Sequence, residues 1–351
     1  MSLFHFLGGR ILKTGAAVFI TALICESLGW PPVFAVITAI VTIEPTAAAS
    51  IKKGLIRFPA SIIGAAYAML FTYLFDHGPI TFTLAAVLTI LTCSKLKLYD
   101  GLLVATLTAI AMIEVTTDNY GQAFLTRLGT TGTGLIVSTL VNLFILPPDY
   151  SKAISQNMTS LKQKTAALLL QVVDHLLNEK DARSLESSYQ SEQQLFEKTE
   201  TLCRFQRGEW RYRRFSKESM RKIHFDSKKL ESLRHIHFHI GNMIVIPAEP
   251  LSWTEEQKQR IRQSAQVLAA YISEQDGFLN EGLHKSVQPI MEYFWYAKAE
   301  SEEEFEEMNK LFSAEISLLY ELLAIFELIE EMEAQNKFRQ KQFSPPLFDY
   351  R

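Results

Sequence analysis

The sequence predicts an all-α protein in two parts: a six-helix transmembrane domain built as an inverted 3+3 repeat, followed by a cytoplasmic helical bundle. Three observations carry this expectation. Residues 1–148 hold 14 of the chain's 73 Asp, Glu, Lys and Arg residues and residues 149–351 hold the other 59, so the two parts suit different solvents. Thr38, Ala39, Ile40, Ile43, Glu44, Thr46, Leu55, Arg57 and Gly64 recur 70 positions later as Thr108, Ala109, Ile110, Ile113, Glu114, Thr116, Leu125, Arg127 and Gly134. The C-terminal part carries apolar residues at helical rather than alternating period. A mean hydropathy of +0.07 averages the two parts and hides the difference.

The transmembrane domain is expected over 1–148. Proline, glycine and charge punctuate six spans, at about 11–29, 31–48, 57–75, 79–93, 101–117 and 127–146. Arg10 and Lys13 precede the first apolar run as they would in a signal peptide. Five further hydrophobic segments follow, so the run reads as a retained first helix. Arg10, Lys13, Lys52, Lys53, Arg57, Lys95 and Lys97 fall in alternate connections, while the opposite ones carry Glu26, Asp76, His77, Asp118 and Asn119. The positive-inside rule then places both termini in the cytoplasm, with Arg127 as the exception.

Three spans per copy make the second copy enter from the opposite face. In such a repeat, sites lie near the midplane where the copies meet. Each copy carries a Glu and, thirteen positions later, an Arg, residues that are costly in hydrocarbon and need a reason to be there. Glu44, Glu114, Arg57 and Arg127 are therefore the substrate or coupling candidates. Pro45 joins them, because a proline after Glu44 removes a hydrogen bond and breaks the helix. An Arg at a helix N-terminus is a receptor for carboxylates, through its donor fork and the helix dipole. Arg57 also reads as an interfacial anchor, and the glutamates as hydrogen-bonded structural residues. Gly64, Gly129, Gly132 and Gly134 are helix-packing positions, where small residues let backbones approach.

Beyond Pro147-Pro148 a helical domain is expected over 149–340, with a tail at 341–351. Leu161, Leu168, Val172 and Leu176 form its first apolar stripe. Phe305, Met308, Phe312, Ile316, Leu319, Leu322, Phe326 and Ile329 form its last. Ser252 with Glu255 reads as a capping box, and the whole as four or five long helices. The basic and aromatic run Arg204, Arg207, Arg211, Arg213, Arg214, Lys217, Arg221 and Lys222 pairs in sign with the acidic run Glu300 to Glu307, so a solvated or paired face is expected there, with anionic lipid headgroups as the alternative. Net charge is only −3, and nucleic acid is not an expected partner. His235 and His239 share a helix face, but no cysteine or carboxylate at suitable spacing completes a metal site. The three cysteines form no CxxC or disulfide framework, and no nucleophile motif or cofactor loop is present. An enzyme and a resident cofactor are both unexpected.

Trp30-Pro-Pro-Val-Phe-Ala-Val, Ile43-Glu-Pro-Thr46, Arg57 with Gly64, and Arg127-Leu-Gly-Thr130 with Gly134 together resemble the membrane domain of the aromatic acid exporter family, within the fusaric acid resistance superfamily. The resemblance covers about residues 8–148. It implies a dimeric inner-membrane protein that moves organic anions such as aromatic carboxylates outward. The first copy reads Arg57-Phe58-Pro59-Ala60 where the family pattern has Arg-x-Gly-Thr. The expected function is export of aromatic or other weak organic acids, with a proton exchanged at Glu114 or Glu44. An organic-anion channel and a membrane-anchored scaffold acting through the helical domain are the alternatives.

Overall fold

The computed structural model describes residues 9–115, 120–145, 148–178, 183–210, 217–247, 253–273, 281–303 and 313–343. Every regular element among them is helical. The chain divides into two compact units, Met1–Asp149 with Phe205–Arg214, and Tyr150–Arg204 with Phe215–Arg351.

The first unit contains α1 (Gly9–Ser27), α2 (Pro32–Thr42), α3 (Ala47–Phe75), α4 (Pro79–Lys95), α5 (Leu102–Val115) and α6 (Tyr120–Phe144). The chain turns after α1 at Gly29, whose φ of +69° an L side chain would resist, and α2 starts on Pro32. Pro45 has no N–H and holds Glu44 out of helical geometry, so α2 stops at Thr42 and not at 48. Thr46 then caps α3 by accepting from the Ala49 amide at 3.0 Å. That cap starts the third helix at Ala47, ten residues before the expected position, and places Arg57 well inside it. The last positions of the fifth and sixth expected spans, 116–117 and 146, lie outside the described residues.

Within this unit α2 packs on α6 and α3 on α5, α1 on α2 and α4 on α5, α1 on α6 and α3 on α4, and α3 on α6. Apart from the small contact of α2 with α3 at the break, the set is unchanged when each helix is exchanged for the one three places away. Its closest approaches obey the same exchange. A Cβ on Gly64 would lie 2.2 Å from the Ala105 carbonyl oxygen, and one on Gly134 would lie 2.4 Å from that of Ala35, the position 70 residues before Ala105. Gly129 makes room for the Trp30 indole, while a Cβ on Gly132 would find only ordinary contact with Phe58.

The distribution of side-chain size is the reverse of that in a water-soluble domain. Ala17, Ala35, Ala39, Ala60, Ala65, Ala68, Ala105 and Ala109 are fully buried, while Phe19, Leu55, Tyr73, Leu103, Leu125, Ile136 and Phe144 face outward. An apolar solvent outside removes the drive to bury large side chains, and helix contact rests on close backbone packing. By length and apolarity, α3 alone among the described helices suffices to cross a membrane by itself; α2 and α4 are shorter apolar helices.

The second unit comprises α7 (Ser151–Asn178), most of α8 (Arg183–Glu209), α9 (Lys217–Ile244), α10 (Glu255–Ser273), α11 (Glu281–Glu303) and α12 (Ala314–Phe343), more helices than the stripes alone indicate. Leu161, Leu168, Val172 and Leu176 join Phe196, Leu233, Ile236, Ile240, Leu268 and Leu322 in one core. Ile316, Leu319, Leu322, Phe326 and Ile329 are buried, whereas Phe305, Met308 and Phe312 lie outside the described residues. The cap of α10 is Thr254 with Gln257: the Gln257 amide donates to the Thr254 hydroxyl, and the Thr254 amide to the Gln257 side chain at 2.8 Å. This box stands where Ser252 with Glu255 was expected, and Ser252 lies outside the described residues.

Gly64→Ala and Gly134→Ala each place a methyl group against a backbone oxygen that cannot yield. Each is expected to cost about 1 to 3 kcal/mol, and Gly132→Ala much less. Thermal unfolding of the detergent-solubilised variants, ranked against wild type, checks the order.

Candidate functional site

The α2–α3 break brings Glu44 and Arg57 together. The Arg57 Nη2 donates to Glu44 Oε1 at 2.8 Å, its Nη1 to the Val41 carbonyl and its Nε to the Asp100 carbonyl, both at 3.2 Å. Only 8% of Arg57 is exposed, so the guanidinium is held by oxygen atoms on three sides in place of water. Lys53 adds a second cation to Glu44, Nζ to Oε2 at 3.0 Å, from a partly exposed position.

Other residues complete this cluster that the sequence pattern did not single out as site residues. Asn142 donates to the Glu44 carbonyl at 3.0 Å and to the Ser50 hydroxyl at 2.9 Å, which binds the break from α6. Lys13, one helix turn inside α1 and only 6% exposed, donates its Nζ to Asn142 Oδ1 at 2.8 Å. Lys13 therefore belongs to the interior of the first unit and is not a loop charge. A lysine near the start of an apolar run resembles an ordinary flanking charge, and nothing in the sequence marked Asn142 as its partner.

The second copy is built differently. Arg127 is also 8% exposed, but it donates to a neutral group, Nη2 to the Thr108 hydroxyl at 3.2 Å. The Phe34 ring lies 3.7 Å from its Cζ, close enough for a cation–π contact. Nε and Nη1 are buried without a hydrogen-bond partner among the described residues. Glu114 is exposed near the end of α5, and no ion pair joins it to Arg127 among the described residues. Beside Arg127 is a cavity of about 510 Å3, lined by Trp30, Phe34, Met112, Gln122, Thr126 and Thr130. The small residue at Gly129 creates the space that Trp30 occupies. Pro45 is exposed on the break.

The two clusters lie at opposite ends of the helices. Lys13 and Leu28, which borders the cavity, are fifteen residues apart on one side of the unit, or about 22 Å at 1.5 Å per residue. One end holds an ion-paired network and the other a cavity beside a partly satisfied cation.

In the second unit His235 is exposed, His239 meets Glu321 at 2.5 Å and His237 is buried, so the three do not converge. No cluster of three potential metal ligands occurs among the described residues. Arg204, Arg207, Lys217, Arg221 and Lys222 are exposed, while Arg211, Arg213 and Arg214 lie outside the described residues. His237 stacks on Tyr189 with ring centroids 4.1 Å apart and faces Glu192, which accepts from the Thr165 hydroxyl. Burial pushes the Glu192 carboxyl up to about 7, against the opposing pull of Thr165 and Lys164. Burial, with Arg234 nearby, pushes His237 down to about 4.

A domain with small residues inside, large apolar residues outside and buried arginines defines a helical membrane protein with a polar site in its interior. The chain belongs to the aromatic acid exporter family: the family model described as aromatic acid exporter family member 1 matches residues 5–145. Its relatives extend over both units. A UPF0421 protein of Bacillus cereus is 41% identical over 343 residues, covering 95% of this chain and 97% of the relative. One from Oceanobacillus iheyensis is 42% identical over 335 residues, covering 94% and 96%. One from Staphylococcus haemolyticus is 40% identical over 255 residues, covering 72% and 78%.

Two outcomes follow from these environments. Arg57→Ala takes the buried partner from Glu44, leaving it only the partly exposed Lys53, and is expected to lower stability by about 3 kcal/mol, against less than about 1 kcal/mol for Lys53→Ala. Melting of the solubilised variants measures the difference. For Glu192 the raised folded pKa means the folded state holds the proton that the unfolded chain has already released, so its contribution to stability falls as pH rises towards about 7. His237 works in the opposite sense, adding stability as pH rises from about 4 to its ordinary 6.5, and is spent above that. Glu192→Gln should therefore raise the unfolding temperature more at pH 8 than at pH 5.

Proposed function

We propose that this membrane protein exports aromatic or other weak organic acids, and that Arg127 receives the substrate carboxylate. The observation that carries the reading is a buried guanidinium with two unused donor atoms beside a cavity of about 510 Å3. A carboxylate accepts from both donors at once and supplies the missing charge. Trp30 and Phe34 offer aromatic faces to the rest of the molecule, and the volume lies within the range of small-molecule sites.

In this reading the first unit is an inverted 3+3 repeat of membrane-spanning helices, with both termini cytoplasmic. The exchangeable helix contacts and the Gly64–Ala105 and Gly134–Ala35 approaches support it. The positive-inside orientation then puts the Glu44–Arg57–Asn142–Lys13 network on the cytoplasmic side and the Arg127 cavity towards the exterior. The network acts as the closed inner gate of an outward-facing arrangement. Arg57 is already neutralised by Glu44, which leaves Arg127 as the substrate receptor and the exposed Glu114 as the group that exchanges a proton. A homodimer in the lipid bilayer is the proposed assembly, and the activity is transport without a chemical step on the substrate.

Proteoliposomes loaded with labelled aromatic carboxylates test this, with and without a pH gradient. Flux is expected to follow the gradient in wild type and to lose that dependence in Glu114→Gln. It should fall by roughly tenfold or more in Arg127→Ala, as loss of hydrogen bonds to a charged group worth about 1.5 to 3 kcal/mol implies. Flux that ignores the gradient and survives Glu114→Gln would favour a channel. No flux from folded protein would favour a membrane-anchored scaffold.

A further inference from the structure

α8 begins in the second unit, yet its last residues, from Phe205, belong to the first. There the Glu209 side chain is fully buried, and its Oε1 accepts from the Ala47 amide at 2.6 Å. Ala47 is the first residue of α3, three positions after Glu44. A helix N-terminus presents amides that no earlier turn can satisfy. Thr46 takes the Ala49 amide, and Glu209, 162 positions further along the chain, takes that of Ala47. The carboxylate also meets the positive end of the α3 dipole. Gln206 beside it is fully buried, and Gly208 comes close to Ala48: a Cβ at 208 would lie 3.7 Å from the Ala48 Cβ.

These contacts converge on the break that holds the gate. Glu44 donates its amide to the Ser50 hydroxyl at 3.3 Å, Ser50 donates to the Thr42 carbonyl, and Asn142 ties both to α6. The ties made through Ser50 depend on where the first turn of α3 sits. Glu209 is the group that fixes that turn from outside the six-helix set.

We propose that the end of α8 is a latch, in which Glu209 holds the α2–α3 break in its closed form and so links the second unit to the Glu44–Arg57 gate. Glu209 is a positioning residue: it acts on the gate through Ala47 and has no substrate contact. The consequence for export rests on the proposed function above, whereas the latch itself concerns the break alone. A latch must let go for the gate to open, so stabilising the contact stops the cycle and removing it leaves the gate ajar.

The test is carried out on the full chain in membranes, with Cys25, Cys93 and Cys203 replaced by alanine. Ile43, which is 2% exposed on the break, is replaced by cysteine as a reporter for a membrane-impermeant maleimide added from the cytoplasmic side. Glu209→Ala is expected to raise its labelling rate roughly fivefold, the change in an opening equilibrium that loss of one helix cap produces. Glu209→Asp should restore much of the protection. In a separate protein, Ala48→Cys with Gly208→Cys is oxidised. The Cβ separation suits a disulfide, and the crosslink is expected to stop flux reversibly, with reductant restoring it. Labelling that is equal in all variants, or normal flux through the crosslinked protein, would overturn the latch. Increased labelling in Glu209→Ala together with no flux in wild type would uphold the latch and sink the export reading instead.

Discussion

The first unit depends on one ion pair being formed where the chain is not helical. Glu44 and Arg57 are thirteen residues apart in sequence and meet at 2.8 Å because Pro45 ends one helix and Thr46 starts another between them. In an uninterrupted helix that spacing would put them about 20 Å apart along the axis. The break costs backbone hydrogen bonds in a region poor in water. Ser50, Asn142 and the Arg57 contact with the Val41 carbonyl replace several of them. A charge pair, a broken helix and a capped restart are thus a single arrangement, and removing any one of them strands the others.

The duplicated sequence does not yield duplicated chemistry. Arg57 is surrounded by oxygen atoms and a carboxylate, while its counterpart Arg127 has a hydroxyl, an aromatic face and a cavity. The difference originates in neighbours outside the repeated motif. Lys13 and Asn142 have no counterparts in the other half, since the positions 70 away are Thr83 and Thr72. Pro45 corresponds to Val115, which is helical. Two halves that pack alike can therefore hold one satisfied cation and one that is only partly satisfied.

The second unit shows the opposite solvent logic. Its core is made of large side chains such as Phe196, Leu233 and Ile240, and its surface is charged. Glu192 and His237 are exceptions, held in that core through Thr165 and the Tyr189 ring. Their pKa values are pushed in opposite directions by the same main cause, loss of water. α8 is divided between the units: its body lies in the second, and Glu209 at its end belongs to the first.

Much of this architecture was legible in one dimension. Composition separated the two parts near Pro147, because solvent selects side chains residue by residue. The 70-residue offset singled out Glu44, Arg57 and Arg127, which are held inside the first unit, together with Glu114, which is exposed, and it marked Gly64 and Gly134, since a close helix contact tolerates only a missing side chain. Apolar stripes named core residues such as Leu161 and Leu322 for the same periodic reason. Tertiary structure alone decided which charges are paired. That Arg57 finds Glu44 while Arg127 faces a cavity, that Lys13 turns inward to Asn142, and that Glu209 reaches Ala47 are outcomes of residues 13 to 162 positions apart being brought within hydrogen-bond distance. A periodic pattern reports the environment that each residue prefers. The partner it obtains depends on how the helices cross, and that information belongs to no single stretch of the chain.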